Sequence, residues 1–137
     1  MTATLTLAHL SDLHLAPIAG LQLRHMTIKR ALGLANWARR RRTIHLAPVA
    51  AAIVADLKAA APDHIAVTGD LVNLGLPAEY VAASGWLRRL GPPAGVSVVP
   101  GNHDIYVAMS RDPGVARWRD YMSSNDAIPT GVGSQAA

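Results

Sequence analysis

Three short apolar runs along this chain each stop at a cluster of polar residues. "TLTLAHL" (4–10) runs into "SDLHL", "HIAVTGD" (64–70) into "LVN", and "VSVVP" (96–100) into "GNHD". The runs are near-continuous rather than alternating, the pattern of parallel strands covered on both faces. Between the second and third runs, Tyr80, Ala83 and Leu87 recur at helical spacing, predicting a helix over 77–90 that "GPP" ends. A second helix is predicted over 48–60, with Pro48 in its first turn and "APD" as its stop. The order β, α, β, α, β predicts an α/β fold with a parallel sheet and right-handed crossovers. A further helix is expected over 115–123, and the Gly-rich end, 125–137, is expected to fray.

In such sheets ligands bind beyond the carboxyl ends of the strands. All three polar clusters fall at that end, so three separate segments deliver side chains to one edge of one sheet. Composition narrows the chemistry. The chain has 137 residues, one domain at most, and no cysteine, which removes disulfides, thiolate metal sites and a Cys nucleophile. The opening "MTATLTLAHLSD" lacks a basic n-region, and "APVAAAIVADLKAAAP" is too short and too interrupted to span a bilayer. The reading is a soluble, cytoplasmic chain, with a membrane-peripheral alternative considered below.

The clusters offer Asp12 and His14, two residues apart and so on one side of an extended segment, then Asp70, then Asn102, His103 and Asp104. Carboxylate, imidazole and amide oxygen form a mixed oxygen/nitrogen set that suits Mn, Fe or Zn. A carboxylate bridging two such ions belongs to sites that clamp both oxygens of a phosphoryl transfer. Gly69 and Gly101 let the backbone turn sharply beside the site. Asn73 reads as a local turn residue, and His9 and His64 as structural.

"SDLHL", "GDLVN" and "GNHD", in this order, resemble the calcineurin-like metallophosphoesterase superfamily, and the first form is most similar to its bacterial branch related to cyclic-AMP phosphodiesterases. The resemblance covers residues 5–107 and implies the first half of a four-layer sandwich. It implies two divalent metals. Asp12 and His14 would bind the first, Asp70 would bridge, and Asn102 would bind the second. His103 would be the general acid, and Asp104 would orient it by a hydrogen bond. A metal-bound hydroxide would attack the phosphorus of a small phosphoester substrate.

The family pattern continues with a further His and a "GHxH" motif. The six histidines here are His9, His14, His25, His45, His64 and His103, and none follows His103. The expectation is therefore a truncated domain with weak metal binding, an exposed hydrophobic sheet face and no detectable turnover of its own. The alternative function is an inactive remnant that keeps partial metal or anion binding.

One segment stands outside this pattern. Between Arg24 and Arg42 lie seven Lys or Arg and no acid, within a basic helical insert over about 21–45. Ile28, Leu32 and Ala35 recur at helical spacing, and Arg39, Arg40, Arg41 and Arg42 follow. The ordinary reading is a solvated charged face. The sharper one is an amphipathic helix for an anionic membrane surface. Nucleic acid is disfavoured, because the basic run is single and aromatic stacking residues are not interleaved with its four successive arginines.

Overall fold

The computed structural model of the chain describes residues 4–15, 18, 20–40, 47–105 and 113–123. Arg41, Arg42, His45, the side chain of Arg40 and the tail over 125–137 lie outside the described residues. The described elements are β1 (Leu7–Leu10), α1 (Ile28–Arg40), α2 (Ala47–Ala60), β2 (His64–Val67), α3 (Pro77–Leu90), β3 (Val96–Val98) and α4 (Arg119–Met122). The strands form one parallel sheet in the order β1–β2–β3, with Leu7 opposite His64 and Ile65 opposite Val96. Helices alternate with strands, as the hydrophobic pattern requires, and α3 has the predicted bounds. The helix expected over 115–123 is instead a 3-10 turn, Gly114–Trp118, continued by α4.

Why these segments stop where they do is local. Ala61, after α2, takes a left-handed φ of 46° and its N–H caps the Leu57 carbonyl. Its successor is Pro62, which cannot donate to a continuing helix. Pro77 opens α3, where a missing N–H costs nothing. Glu79 then turns back: its carboxylate accepts the N–H groups of Asn73, Leu74 and Leu76 at 3.2, 3.0 and 2.9 Å. One buried side chain thus holds the loop that links the second polar cluster to α3.

Period-two alternation sorts the strand residues into two faces. Ile65, Val67, Val96 and Val98 are buried, with Ala8 and Leu10 beside them, under Tyr80, Ala83, Trp86, Leu87 and Leu90 of α3. Burying each large side chain contributes about 1.5–3 kcal/mol. Trp118 is also fully buried and donates its Nε1–H to the Tyr80 carbonyl at 3.3 Å. The opposite face lacks the cover that the near-continuous runs suggest and is exposed, the other expectation drawn from the sequence. Leu7 is 58% exposed and Val99 62%. Between them His9 pairs with Thr68, and His64 with Ser97, each at 2.8 Å. That face is therefore a mixture of exposed apolar residues and paired polar ones, which is why the strands read as continuous runs without being buried on both sides.

Beyond the strands the backbone crosses itself tightly. A Cβ on Gly69, whose φ is +87°, would strike the backbone of Gly101, and one on Gly101 would strike Asp70. Neither glycine has room for a side chain. Gly85 in α3 is different, since an added Cβ there meets only the guanidinium tips of Arg89 and Arg88 at 3.6 and 3.9 Å. Gly85→Ala should therefore raise stability by about 0.5–1 kcal/mol, the usual helix-interior gain. Gly69→Ala should cost several times that, on the scale of about 3 kcal/mol for combined backbone strain and overlap. Urea unfolding of the two variants checks both signs.

Candidate metal centre

The loops after β1 and β2 run side by side as an extension of the sheet. Asp12 N–H donates to Gly69 O (3.2 Å), His14 N–H to Asp70 O (2.8 Å) and Leu15 N–H to Leu71 O (2.8 Å). Within this pairing Asp12, His14 and Asp70 have φ values of 56°, 40° and 54°. Positive φ is uncommon outside glycine, but Asp and His tolerate it better than most residues. The left-handed steps curl the two loops at the strand ends.

Three of the predicted residues converge. One ligand atom each of His14, Asp70 and His103 lies within 4.8 Å of the others, so the group could hold a metal ion. The two imidazoles meet edge to face, with centroids 4.8 Å apart and planes at 88°. His14 Nδ1 sits 3.1 Å from the Val72 carbonyl, and His103 Nδ1 sits 2.7 Å from the Asn73 carbonyl. A carbonyl can only accept, so each Nδ1 is the donor, and in the neutral ring Nε2 is the nitrogen that can ligate a metal. Two histidines held in the same tautomer by consecutive carbonyls, next to a carboxylate, are a donor set that fits a divalent transition metal. Asp70 Oδ1 also accepts the His103 N–H at 2.9 Å, which ties the second cluster to the third. Asp12 is exposed and outside this convergence, and Asn102 is exposed at the turn that carries His103.

The resemblance implies a hydrogen bond from Asp104 to His103. Asp104 is used differently. Its Oδ1 accepts the N–H groups of Leu71 and Val72 at 2.9 and 3.0 Å, and its Oδ2 accepts that of Gly101 at 2.9 Å. The side chain is 1% exposed and faces the loops from below rather than the His103 ring. Burial pushes its carboxyl above the ordinary carboxylate range, the three N–H groups oppose that, and nearby Asp70 adds a small rise.

Four supporting residues escaped the sequence reading. Tyr80 donates its hydroxyl to the Asp104 carbonyl at 2.7 Å. Asn73, read as a turn residue, is 2% exposed, donates Nδ2–H to Leu15 O at 3.3 Å, and positions His103 through its carbonyl. Glu79 holds the loop from the other side. Arg30, in the insert, donates to the carbonyls of Leu74 (3.1 Å), Gly75 (2.6 Å) and His25 (2.9 Å). Only Glu79 had a legible signal, an acid three positions after the residue that precedes Pro77.

These observations define a class: a parallel α/β chain with a candidate metal-binding group of side chains at the carboxyl ends of its strands. A family model described as calcineurin-like phosphoesterase matches residues 5–134, and the chain belongs to that family. It is also similar to a Synechococcus protein named "probable cyclic nucleotide phosphodiesterase", with 42% identity over 57 residues. The match covers 42% of this chain and 22% of that protein, so the chain spans well under two thirds of the relative's length.

Removing the Asp104 carboxylate tests the stapling. Asp104→Ala leaves three backbone N–H groups without their acceptor, at a cost of about 2–3 kcal/mol or more in urea unfolding. The pH dependence has a definite sign. A carboxyl raised on folding contributes stability that is full below its unfolded value and is lost as pH rises through the folded one. Wild-type stability should therefore fall relative to Asp104→Asn as pH rises through that window, in paired melts.

Proposed function

We propose that this chain carries the reaction centre of a metal-dependent phosphoester hydrolase. The observation that carries the reading is the convergence of His14, Asp70 and His103 from three separate motifs, each imidazole oriented by its Nδ1 on a backbone carbonyl. Asp12, His14, Asp70 and Asn102 would hold the metal ions, while His103, although its ring lies within reach of the same ion, is kept for the leaving group. Bound divalent metals would supply a nucleophile at neutral pH and charge stabilisation for an in-line displacement at phosphorus.

The chain's own residues do the rest. His14 and Asp70 are held by backbone bonds on both sides, so little reorganisation is needed when an ion enters. His103 is assigned to the leaving group. With its Nδ1 proton engaged by Asn73, protonation at Nε2 makes the ring a cation that can give a proton to the departing alkoxide. The Asn73 carbonyl stabilises that cation and fixes the ring's direction. Asp104 is a positioning residue here, because it holds the backbone on both sides of the crossing. The substrate class is a small phosphodiester, and the cyclic nucleotides named for the Synechococcus relative are the first candidates.

A second reading, metal binding without turnover, is favoured by one observation: Asp12 is exposed and stands apart from His14, Asp70 and His103, so the convergent donors among the described residues suffice for one ion. One pair of measurements separates the two. Mn²⁺ titration by calorimetry should show binding that falls at least about tenfold in His14→Ala and in Asp70→Asn. Hydrolysis of bis-p-nitrophenyl phosphate with Mn²⁺, lowered about 10²–10⁴-fold in His103→Ala while Mn²⁺ still binds, supports the hydrolase and the acid role of His103. Metal binding with no turnover supports the second reading. A chain that does not bind Mn²⁺ defeats both.

A further inference from the structure

The insert helix α1 carries apolar residues on two faces, and only one of them meets the fold. Its inward positions are Arg30, which is 7% exposed, with Gly33, Leu34 and Trp37 partly buried at the following turns. The apolar stripe faces outward: Ile28 is 84% exposed and Leu32 68%, and Ala35 continues the line. Leu23, in the 3-10 turn before the helix, is 91% exposed. Exposed Arg39 continues that line one turn on, and exposed Arg24 follows Leu23. The inward face with Arg30, Leu34 and Trp37 meets the fold, and the Ile28–Leu32 stripe is left as a ridge without cover among the described residues.

We propose that this ridge docks on an anionic lipid bilayer surface, with Leu23, Ile28 and Leu32 entering the headgroup boundary and the flanking cations meeting anionic headgroups. Charge decides among the occupants. From Arg24 to Arg42 the segment holds seven basic residues and no acid. A second copy of the chain would bring the same positive charge against it, and an uncharged apolar partner would leave the cations without counter-charges. A bilayer rich in anionic lipid satisfies both requirements at once, since interfacial helices combine buried apolar area with attraction between basic residues and the surface.

The anchor matters as much as the ridge. Arg30 bonds the carbonyls of Leu74 and Gly75, which follow directly on the Asn73 carbonyl that holds His103. Docking through α1 would therefore fix how the strand-end loops face the membrane. The proposal stands on the helix alone and does not depend on metal chemistry.

The test is flotation of the chain with vesicles of phosphatidylcholine, and of phosphatidylcholine mixed with phosphatidylglycerol. Binding is expected to the mixed vesicles only and to weaken with added salt. Arg24→Gln and Arg39→Gln should each lower partitioning about fivefold. Leu32→Ser, at an exposed position where folding is unaffected, should lower it by about tenfold. A circular-dichroism melt matching wild type confirms that the loss is one of binding. Failure to float with anionic vesicles overturns the proposal, as does equal binding to phosphatidylcholine alone or binding unchanged by Leu32→Ser. Concentration-dependent dimers that Leu32→Ser abolishes would assign the ridge to a second copy instead.

Discussion

Asp104 accepts the backbone N–H groups of Leu71, Val72 and Gly101 with the two oxygens of one buried carboxylate, and the arrangement of the site follows from that cluster. Leu71 and Val72 follow Asp70, and Gly101 precedes His103 by two residues. Holding all three amides from one point forces the second and third loops into backbone contact, which only glycine at 69 and 101 permits. Once the loops touch, Asp70 Oδ1 reaches the His103 N–H and the carbonyls of Val72 and Asn73 point at the two imidazoles. The candidate metal-binding side chains are thus oriented by backbone groups that a single carboxylate holds in place. Its burial is costly for a charge, and the three charge-assisted bonds offset much of that cost.

The remaining supports act on the same loop from other directions. Glu79 collects the amides of Asn73, Leu74 and Leu76, so the stretch from Leu71 to Leu76 has five of its six N–H groups bound to just two carboxylates. Arg30 takes two of its carbonyls. Tyr80 closes the circuit from α3 to the Asp104 backbone. A loop with no regular secondary structure is buried here because its polar groups are satisfied by side chains, as burial of irregular backbone demands. Residues 71–76 are all buried, which makes the segment part of the scaffold as much as part of the site.

The sheet and α3 were legible in the sequence because hydrophobic periodicity and proline placement act locally. The same holds for the convergence of the motifs, since parallel strands must end on one edge. Asp104 was legible as a site residue and not in its role. Its sequence neighbour His103 is an obvious partner, whereas the amides of Leu71 and Val72 lie more than thirty residues away and leave no mark in residue type. The mixed apolar and polar make-up of the exposed sheet face was not legible for a related reason. His9 and His64 interrupt apolar runs, and only the register shows that Thr68 and Ser97 stand beside them as partners. Side-chain chemistry can be read along a chain, but the bonds made by backbone amides at a distance cannot.

Helix α1 carries that distinction furthest. Helical spacing identifies Ile28, Leu32 and Ala35 as one stripe, yet periodicity gives only the relative orientation of faces and never which of them meets the protein. Here the direction is set by Arg30, whose guanidinium finds three backbone carbonyls as acceptors. A buried cation needs such partners, and no position on the opposite face could supply them without turning the helix over. Had the apolar stripe packed inward, Arg30 would face water and the carbonyls of Leu74 and Gly75 would lose their donors. The helix is therefore placed by the Arg30 bonds together with partly buried Leu34 and Trp37, which leaves the Ile28–Leu32 stripe outside. A fold keeps such an arrangement at a cost in exposed apolar area, and that cost is recovered when the exposed stripe has a surface of its own to meet.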